Sequence, residues 1–275
     1  MPELPEVETI ARGVDERLRG DRIVEVWFGS HTQPFKNPPA EQAAGLEGRT
    51  ILAVRRVGKH IVCDLGEPGG QTPSAQWIVH LGMTGRLLVT TPDGPVAPHT
   101  HARLTLASGR EMRFVDPRRF GRLEFRELNR AEAFIGPGSE PTTITPEAFA
   151  LLFRGRKLAI KAALLNQKLL HGVGNIYADE SLFRAGIRPR RMAGRIKRSE
   201  LDRLHTALQE VLQHAISLGG SSVSDYVDAD GVRGFFQLEH RVYLRTGQPC
   251  LVCGTSIRRI LLAGRGTHFC PVCQR

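Results

Sequence analysis

Four cysteines near the end of the chain constrain its fold more than any other feature: Cys250-x2-Cys253-x16-Cys270-x2-Cys273. Two C-x2-C pairs at this separation have the spacing of a tetrahedral four-thiolate zinc site. Four protein ligands leave no position for a water, so one structural Zn2+ is expected there rather than a catalytic one. The N-terminus, Met1-Pro2-Glu3-Leu4-Pro5-Glu6, is acidic and has no apolar stretch of the kind that directs export. The four cysteines therefore read as metal ligands and not as disulfides. The fifth, Cys63, lies in an apolar run and reads as a buried strand residue.

Charge narrows the partner. The 275 residues carry 38 basic and 28 acidic side chains, a net charge of +10. Only Lys36, Lys59, Lys157, Lys161, Lys168 and Lys197 are lysines; every other basic residue is arginine, whose planar fork suits phosphate oxygens. Such an excess points to nucleic acid or an anionic surface. Arg258, Arg259 and Arg265 lie between the cysteine pairs and Arg275 after them, so a small rigid finger would display arginines to phosphates. Hydrophobic residues make up 41% and charged residues 24%, which excludes a wholly disordered or collagen-like chain. No apolar run approaches the length of a membrane span.

The pattern along the chain predicts an α+β protein. Val7, Ile10, Ala11, Val14 and Leu18 share one face of a helix over 4–19, with Gly20 as its stop. Strand-like runs follow at 22–28, 50–56, 60–65, 77–90, 102–107, 111–115 and 122–126, with a hairpin turn at Ser108-Gly109 and a loop over 30–47. These form a β-sandwich domain, residues 1–135, with flanking helices. Gly136-Pro137-Gly138-Ser139-Glu140-Pro141 opens a linker, 136–144. Beyond it the period turns helical. Thr145 caps a helix with Pro146 in its first position. Helices are expected at 157–170 and 176–185, and Ser199-x-x-Asp202 opens a long one that Gly219-Gly220 ends. A helical domain thus spans 145–239, including a polar 219–234 loop, and the zinc finger spans 240–275.

The N-terminus carries a chemical possibility. Removal of Met1 would leave Pro2 as a terminal secondary amine. An α-amine has a reference pKa of about 7.7–8.0 against about 10.4 for lysine, so far more of it is neutral at pH 7. Attack of such an amine on an aldehyde-level carbon gives an iminium, an electron sink suited to β-elimination. Glu3 or Glu6 would serve as general acid or base. Spacing alone favours a plainer reading, in which the two carboxylates complement the dipole of the helix they open.

Five motifs in order alter that balance. Pro2-Glu3-Leu4-Pro5-Glu6-Val7-Glu8-Thr9, His80-Leu81-Gly82-Met83-Thr84-Gly85, Asp116-Pro117-Arg118-Arg119-Phe120-Gly121, Gly172-Val173-Gly174-Asn175-Ile176-Tyr177-Ala178 and Gly264-Arg265-Gly266-Thr267-His268-Phe269-Cys270 resemble the formamidopyrimidine-DNA glycosylase family over nearly the whole chain. The resemblance implies a DNA glycosylase and abasic-site lyase of base-excision repair. It would remove 8-oxoguanine and formamidopyrimidines from duplex DNA and cleave the strand by β,δ-elimination. Pro2 would be the nucleophile, Glu3 the proton-transfer carboxylate, Glu6 a supporting group and Lys59 a phosphate-binding catalytic lysine. The 172–178 segment would belong to a helix–two-turn–helix motif.

The resemblance also implies that Met83, Arg118 and Phe120 fill the space left by an everted base, with Arg118 on the orphaned partner. The physics is coherent, since eversion costs a few kcal/mol and apolar wedges occupy the vacated step. His99, Arg118, Lys161, Asn175 and Arg265 would contact DNA. Ser221, Ser222 and Tyr226 would lie on the loop that closes over the base. The protein would be a monomer, with no membrane partner, in the bacterial cytoplasm at the nucleoid.

The sequence departs from the family pattern at Asn166 and Thr100, where Asp is expected, at Ala263, where Gln is common, and at Leu244, where Gly is usual. Two other readings remain: an endonuclease VIII-like enzyme for oxidised pyrimidines, which Leu4 and the Met83/Arg118/Phe120 trio oppose, and a non-catalytic zinc-containing DNA-binding protein. The latter leaves the joint presence of Pro2, Glu3 and Lys59 unexplained.

Overall fold

The computed structural model describes residues 1–222 and 226–275. Val223, Ser224 and Asp225, which fall in the expected 219–234 loop, lie outside the described residues. The chain forms two compact units, one of residues 1–135 and 219–234, the other of 136–218 and 235–275. The 219–234 segment, inside the helical stretch by chain order, belongs to the first unit.

The first unit begins with helix α1 (Leu4–Leu18). Pro5 sits in its first turn, where a missing N–H costs nothing. Val7, Ile10, Ala11, Val14 and Leu18 form its buried stripe, and Gly20 leaves it at φ +83°. Two antiparallel four-stranded sheets follow. One has the order β1 (Ile23–Phe28), β6 (Thr100–Leu106), β7 (Glu111–Val115), β5 (Arg86–Thr90). The other has the order β2 (Thr50–Val57), β3 (His60–Gly66), β4 (Ala75–His80), β8 (Arg122–Glu127). Ile61, Cys63, Trp77, Val79, Leu104, Met112 and Phe114 join the α1 stripe in one core.

Two local expectations are corrected here. The 77–90 run is two strands, because Gly85 folds its N–H back onto the Leu81 carbonyl at 2.8 Å. A Cβ at Gly85 would stand 2.2 Å from that oxygen. Within the expected loop 30–47 lies helix α2 (Pro39–Leu46). Its prolines, which read as loop formers, occupy the cap and first turn, and Gln42 and Leu46 are buried one turn apart.

The second unit holds α3 (Pro146–Phe153), α4 (Ile160–Leu164), α5 (Asn175–Arg184) and α6 (Arg198–Ser217). Thr145 Oγ1 accepts the Ala148 N–H at 3.2 Å, the expected cap. The helix expected over 157–170 is only α4. The Asn166 side chain takes the Lys168 N–H at 3.0 Å, offering the backbone a turn instead. Helix α6 starts one residue before Ser199. The Glu200 carboxylate accepts the Lys197 N–H at 3.0 Å, so Glu200, not Asp202, closes the cap. Tyr177, Leu182, Leu204, Leu208, Val211 and Phe236 are buried in this unit. The hairpin β9 (Arg258–Leu262) and β10 (Arg265–Phe269) lies between the cysteine pairs. No helix among the described residues is long and apolar enough to cross a membrane.

Candidate functional site

Glu3 caps α1 in an extended conformation. Its N–H donates to Glu6 Oε2 at 2.8 Å. The other Glu6 oxygen accepts the Ser221 N–H at 2.7 Å, and the Tyr226 hydroxyl donates to the Glu6 carbonyl at 3.4 Å. Glu6 is 2% exposed. Its carboxylate is therefore a buried tie between the start of α1 and the 219–234 segment. Gly220, at φ +81°, is required there, since a Cβ would stand 2.9 Å from Glu6 Oε1. Burial, with Glu6 nearby, pushes the Tyr226 hydroxyl above its ordinary pKa. Ser222 Oγ donates to the Tyr226 carbonyl and accepts the Gly234 N–H, fastening the segment to itself. The structure thus brings Pro2, Glu3, Glu6, Ser221, Ser222 and Tyr226 into one neighbourhood. Met1 still precedes Pro2, so the Pro2 nitrogen becomes an amine only once Met1 is cleaved.

Lys59 stands on the two-residue turn between β2 and β3, where Gly58 at φ +61° supplies the conformation a tight hairpin needs. Arg56 anchors this turn. Its Nε lies 2.7 Å from Glu8 Oε2 on α1, and its Nη1 donates to the Gly58 carbonyl at 3.3 Å. Burial, followed by the fields of His60, Lys59, Arg122 and Lys36, lowers His80 to about 4. Neutral His80 accepts the Gly82 N–H on Nδ1 at 3.1 Å, which fixes the turn that carries Met83.

Met83 and Phe120 are 41% and 49% exposed. Without the family resemblance both would have been placed in the core. The Arg118 guanidinium lies over the Phe120 ring, 4.8 Å from its centre, so the three side chains project from two neighbouring turns. His99 is exposed at φ +64°, and its carbonyl accepts the Asp116 N–H at 3.0 Å.

In the second unit Asn175 is the first residue of α5, after Gly174 as cap. Its Nδ2 donates to the Gly266 carbonyl at 3.0 Å, beside exposed Arg265 on β10. Lys161 departs from its expected place. Its ammonium is buried, 2.7 Å from Asp179 Oδ1, and donates to the Gly266 carbonyl and Thr267 Oγ1 at 3.0 and 2.8 Å. Asp179 also accepts the His268 N–H at 2.9 Å. This network holds β10 against α5, so Lys161 orders the finger hairpin. Asp179, which sequence reading missed, follows Asn175 by four residues and so shares its helix face.

The four cysteine sulfurs lie within 4.8 Å of one another, with Cys253–Cys270 at 3.4 Å and Cys250–Cys273 at 3.9 Å. A tetrahedral zinc with Zn–S of about 2.3 Å sets its sulfurs about 3.8 Å apart, which this cluster matches. The Thr255 hydroxyl and N–H bring the Cys253 thiol down to about 6, toward the thiolate that binds metal.

Comparisons with known proteins agree with this arrangement. Residues 1–123 match the formamidopyrimidine-DNA glycosylase N-terminal domain, residues 135–227 the formamidopyrimidine-DNA glycosylase H2TH domain, and residues 247–275 the zinc finger found in FPG and IleRS. A formamidopyrimidine-DNA glycosylase of Solibacter usitatus is 48% identical over 276 residues, covering both chains fully. A variant of the Lactococcus lactis FPG, solved with DNA containing Fapy-dG, is 35% identical over the full length of both chains, with a TM-score of 0.89. The Lactococcus lactis Fpg solved with DNA containing an abasic site is also 35% identical, over 99% of each chain, with a TM-score of 0.89.

Proposed function

The chain belongs to the formamidopyrimidine-DNA glycosylase family, and we propose that Pro2, freed of Met1, is its nucleophile, with Glu3 as proton carrier and Lys59 on the neighbouring phosphate. The protein is a DNA glycosylase and abasic-site lyase for oxidised purines in duplex DNA, with one structural zinc held by Cys250, Cys253, Cys270 and Cys273. The observation that carries the assignment of roles is the start of α1. Pro2 stands immediately before Glu3, and the Glu6 carboxylate is already committed to the N–H groups of Glu3 and Ser221. Glu6 therefore supports the site, and Glu3 is the carboxylate beside the amine.

The chemistry follows. The Pro2 nitrogen forms a bond to C1′ as the glycosidic bond breaks, and the base leaves with a proton. Opening of the sugar gives an iminium between Pro2 and C1′. Loss of a C2′ proton expels the 3′ phosphate, and a second elimination expels the 5′ phosphate. Glu3 moves protons at the sugar. Met83, Arg118 and Phe120 fill the vacated step, with Arg118 on the orphaned base. His99, Arg118, Asn175 and Arg265 bind phosphates, and Ser221, Ser222 and Tyr226 border the everted base. The protein acts as a monomer in the bacterial cytoplasm, on the nucleoid.

Incubation with an 8-oxoguanine:cytosine duplex and sodium borohydride tests the central role. The expected result is a covalent adduct at Pro2 that Pro2→Gly and Glu3→Gln abolish while DNA binding persists. Unchanged strand cleavage in both variants would refute the assignment.

A further inference from the structure

We propose that Asp116 is a positioning residue that makes Met83, Arg118 and Phe120 a single rigid wedge; this rests on the void-filling role given to that trio above. The three side chains stand on two turns separated in sequence, Leu81–Gly85 and Asp116–Gly121. Two of them are apolar and exposed, so no core fixes them from above. What holds their shape lies beneath. Asp116 is fully buried, and its carboxylate joins the two turns. One oxygen accepts the Thr84 hydroxyl at 2.6 Å and the Arg118 N–H at 3.3 Å. The other accepts the Gly121 N–H at 2.8 Å. Thr84 is the residue after Met83, while Arg118 and Gly121 bracket Phe120.

The backbone of Asp116 extends the same control. Its N–H donates to the His99 carbonyl, and its carbonyl pairs with His101 Nε2, each at 3.0 Å. The turns also touch directly. A Cβ at Gly82 would stand 2.5 Å from both the Phe120 carbonyl carbon and the Gly121 nitrogen, so only glycine permits the approach. Arg119 takes φ +56° between Arg118 and Phe120, whose side chains stack on each other.

A wedge entering a base stack loses affinity for every side chain and turn it must order on entry. The Asp116 clasp orders both turns before DNA arrives. It acts on the step in which the base is everted. A strand that already lacks its base needs no eversion, so the clasp has less to do there even though the wedge still fills the gap. The two substrates therefore separate positioning from general damage to the fold.

The test uses the full-length zinc-loaded protein and four variants: Asp116→Asn, Thr84→Val, Met83→Ala and the Thr84→Val/Met83→Ala double. Thr84→Val removes one donor from a partly exposed turn residue and leaves the buried carboxylate in place. Single-turnover excision of 8-oxoguanine from an intact duplex should slow about tenfold in Asp116→Asn and Thr84→Val, as expected when groups that orient the substrate are misplaced by a fraction of an ångström. Cleavage of a preformed abasic-site duplex should stay within about twofold of the parent. In the Met83→Ala background, Thr84→Val should slow excision less than it does in the parent, because the wedge residue next to Thr84 is gone. If Thr84→Val and Met83→Ala act additively, or if both substrates suffer equally in step with a fall in Tm, the clasp is overturned while the wedge stands. If Met83→Ala excises normally, the wedge reading itself falls, and the role of Asp116 with it.

Discussion

The Lys161 ammonium lies 2.7 Å from the Asp179 carboxylate, and both side chains are sealed from solvent at 1% and 0% exposure. Losing one partner of a buried pair leaves the other charge uncompensated, so Lys161→Ala should cost about 3–5 kcal/mol of stability. A sealed ammonium displaces no counterion, so the slope of DNA affinity against log salt should match the parent's wherever the variant remains folded. A slope shallower by about one unit would instead make Lys161 a phosphate contact. Arg265→Ala, which removes an exposed guanidinium, is expected to show that shallower slope.

In the second unit, two side chains among the described residues occupy left-handed backbone that penalises them. Leu244 has φ +57°, at the position where the family resemblance calls for Gly, and Ala263 has φ +49° before Gly264 at φ +72°. The left-handed region costs a residue with a Cβ roughly 1–2 kcal/mol. Leu244→Gly should therefore stabilise the second unit by about 1 kcal/mol. Ala263→Asn should do the same by giving the β9–β10 turn the Asn-Gly pair that such hairpins favour. Differential scanning calorimetry checks both, with an expected rise in Tm of about 2–4 °C each.

Stability should fall between pH 6.5 and 4. Burial, and then neighbouring positive groups, lower His80 to about 4. Burial, with His268 nearby, does the same to His240. The unfolded chain takes up these protons near pH 6.5 and the folded chain only near 4, so acid favours unfolding across that window. The contribution is complete above pH 6.5 and is lost as pH drops through 4. Thermal melts at half-unit intervals should show the decline, and His240→Gln should flatten it. An identical pH profile in that variant would refute the role of His240.

Removing the metal should release the finger while sparing the first unit. The apolar support around the cysteines is small, comprising Phe183, Val242, Ile257 and the buried Cys250 and Cys270. Zinc contributes on the order of 10 kcal/mol to comparable four-ligand modules, more than such a cluster supplies. Chelation should open β9 and β10 to protease and abolish DNA binding, with one zinc released per chain by atomic emission. A protease-resistant hairpin after complete zinc loss would contradict this.

Much of the fold was legible where chemistry is local. The α1 stripe, the Ser108-Gly109 turn and the Thr145-Pro146 cap appear as read, because each depends on residues within a turn of one another. The reading failed where a long-range partner decides. Nothing near Lys161 announces burial: its partners are Asp179 on the next helix and Thr267 in the finger. Within the 77–90 run, Gly82 meets the Phe120–Gly121 backbone, a partner far along the chain that the run itself does not announce. The prolines at 38 and 39 were ambiguous, since the residues that favour loops also favour a first helical turn. The exposure of Met83 and Phe120 came from the family resemblance and not from hydropathy.

The tie between Glu6 and Ser221 spans 215 residues of chain. Synthesis runs from the N-terminus, so the segment carrying Pro2 leaves the ribosome first yet gains its surroundings almost last. The Val89 N–H likewise awaits the Ala229 carbonyl, and Arg17 awaits Asp230. The first unit is incomplete when residue 135 emerges: residues 219–234 join it only after α3 to α6 have been made. A nascent chain stalled before residue 219 therefore leaves the Glu6 carboxylate without its Ser221 partner.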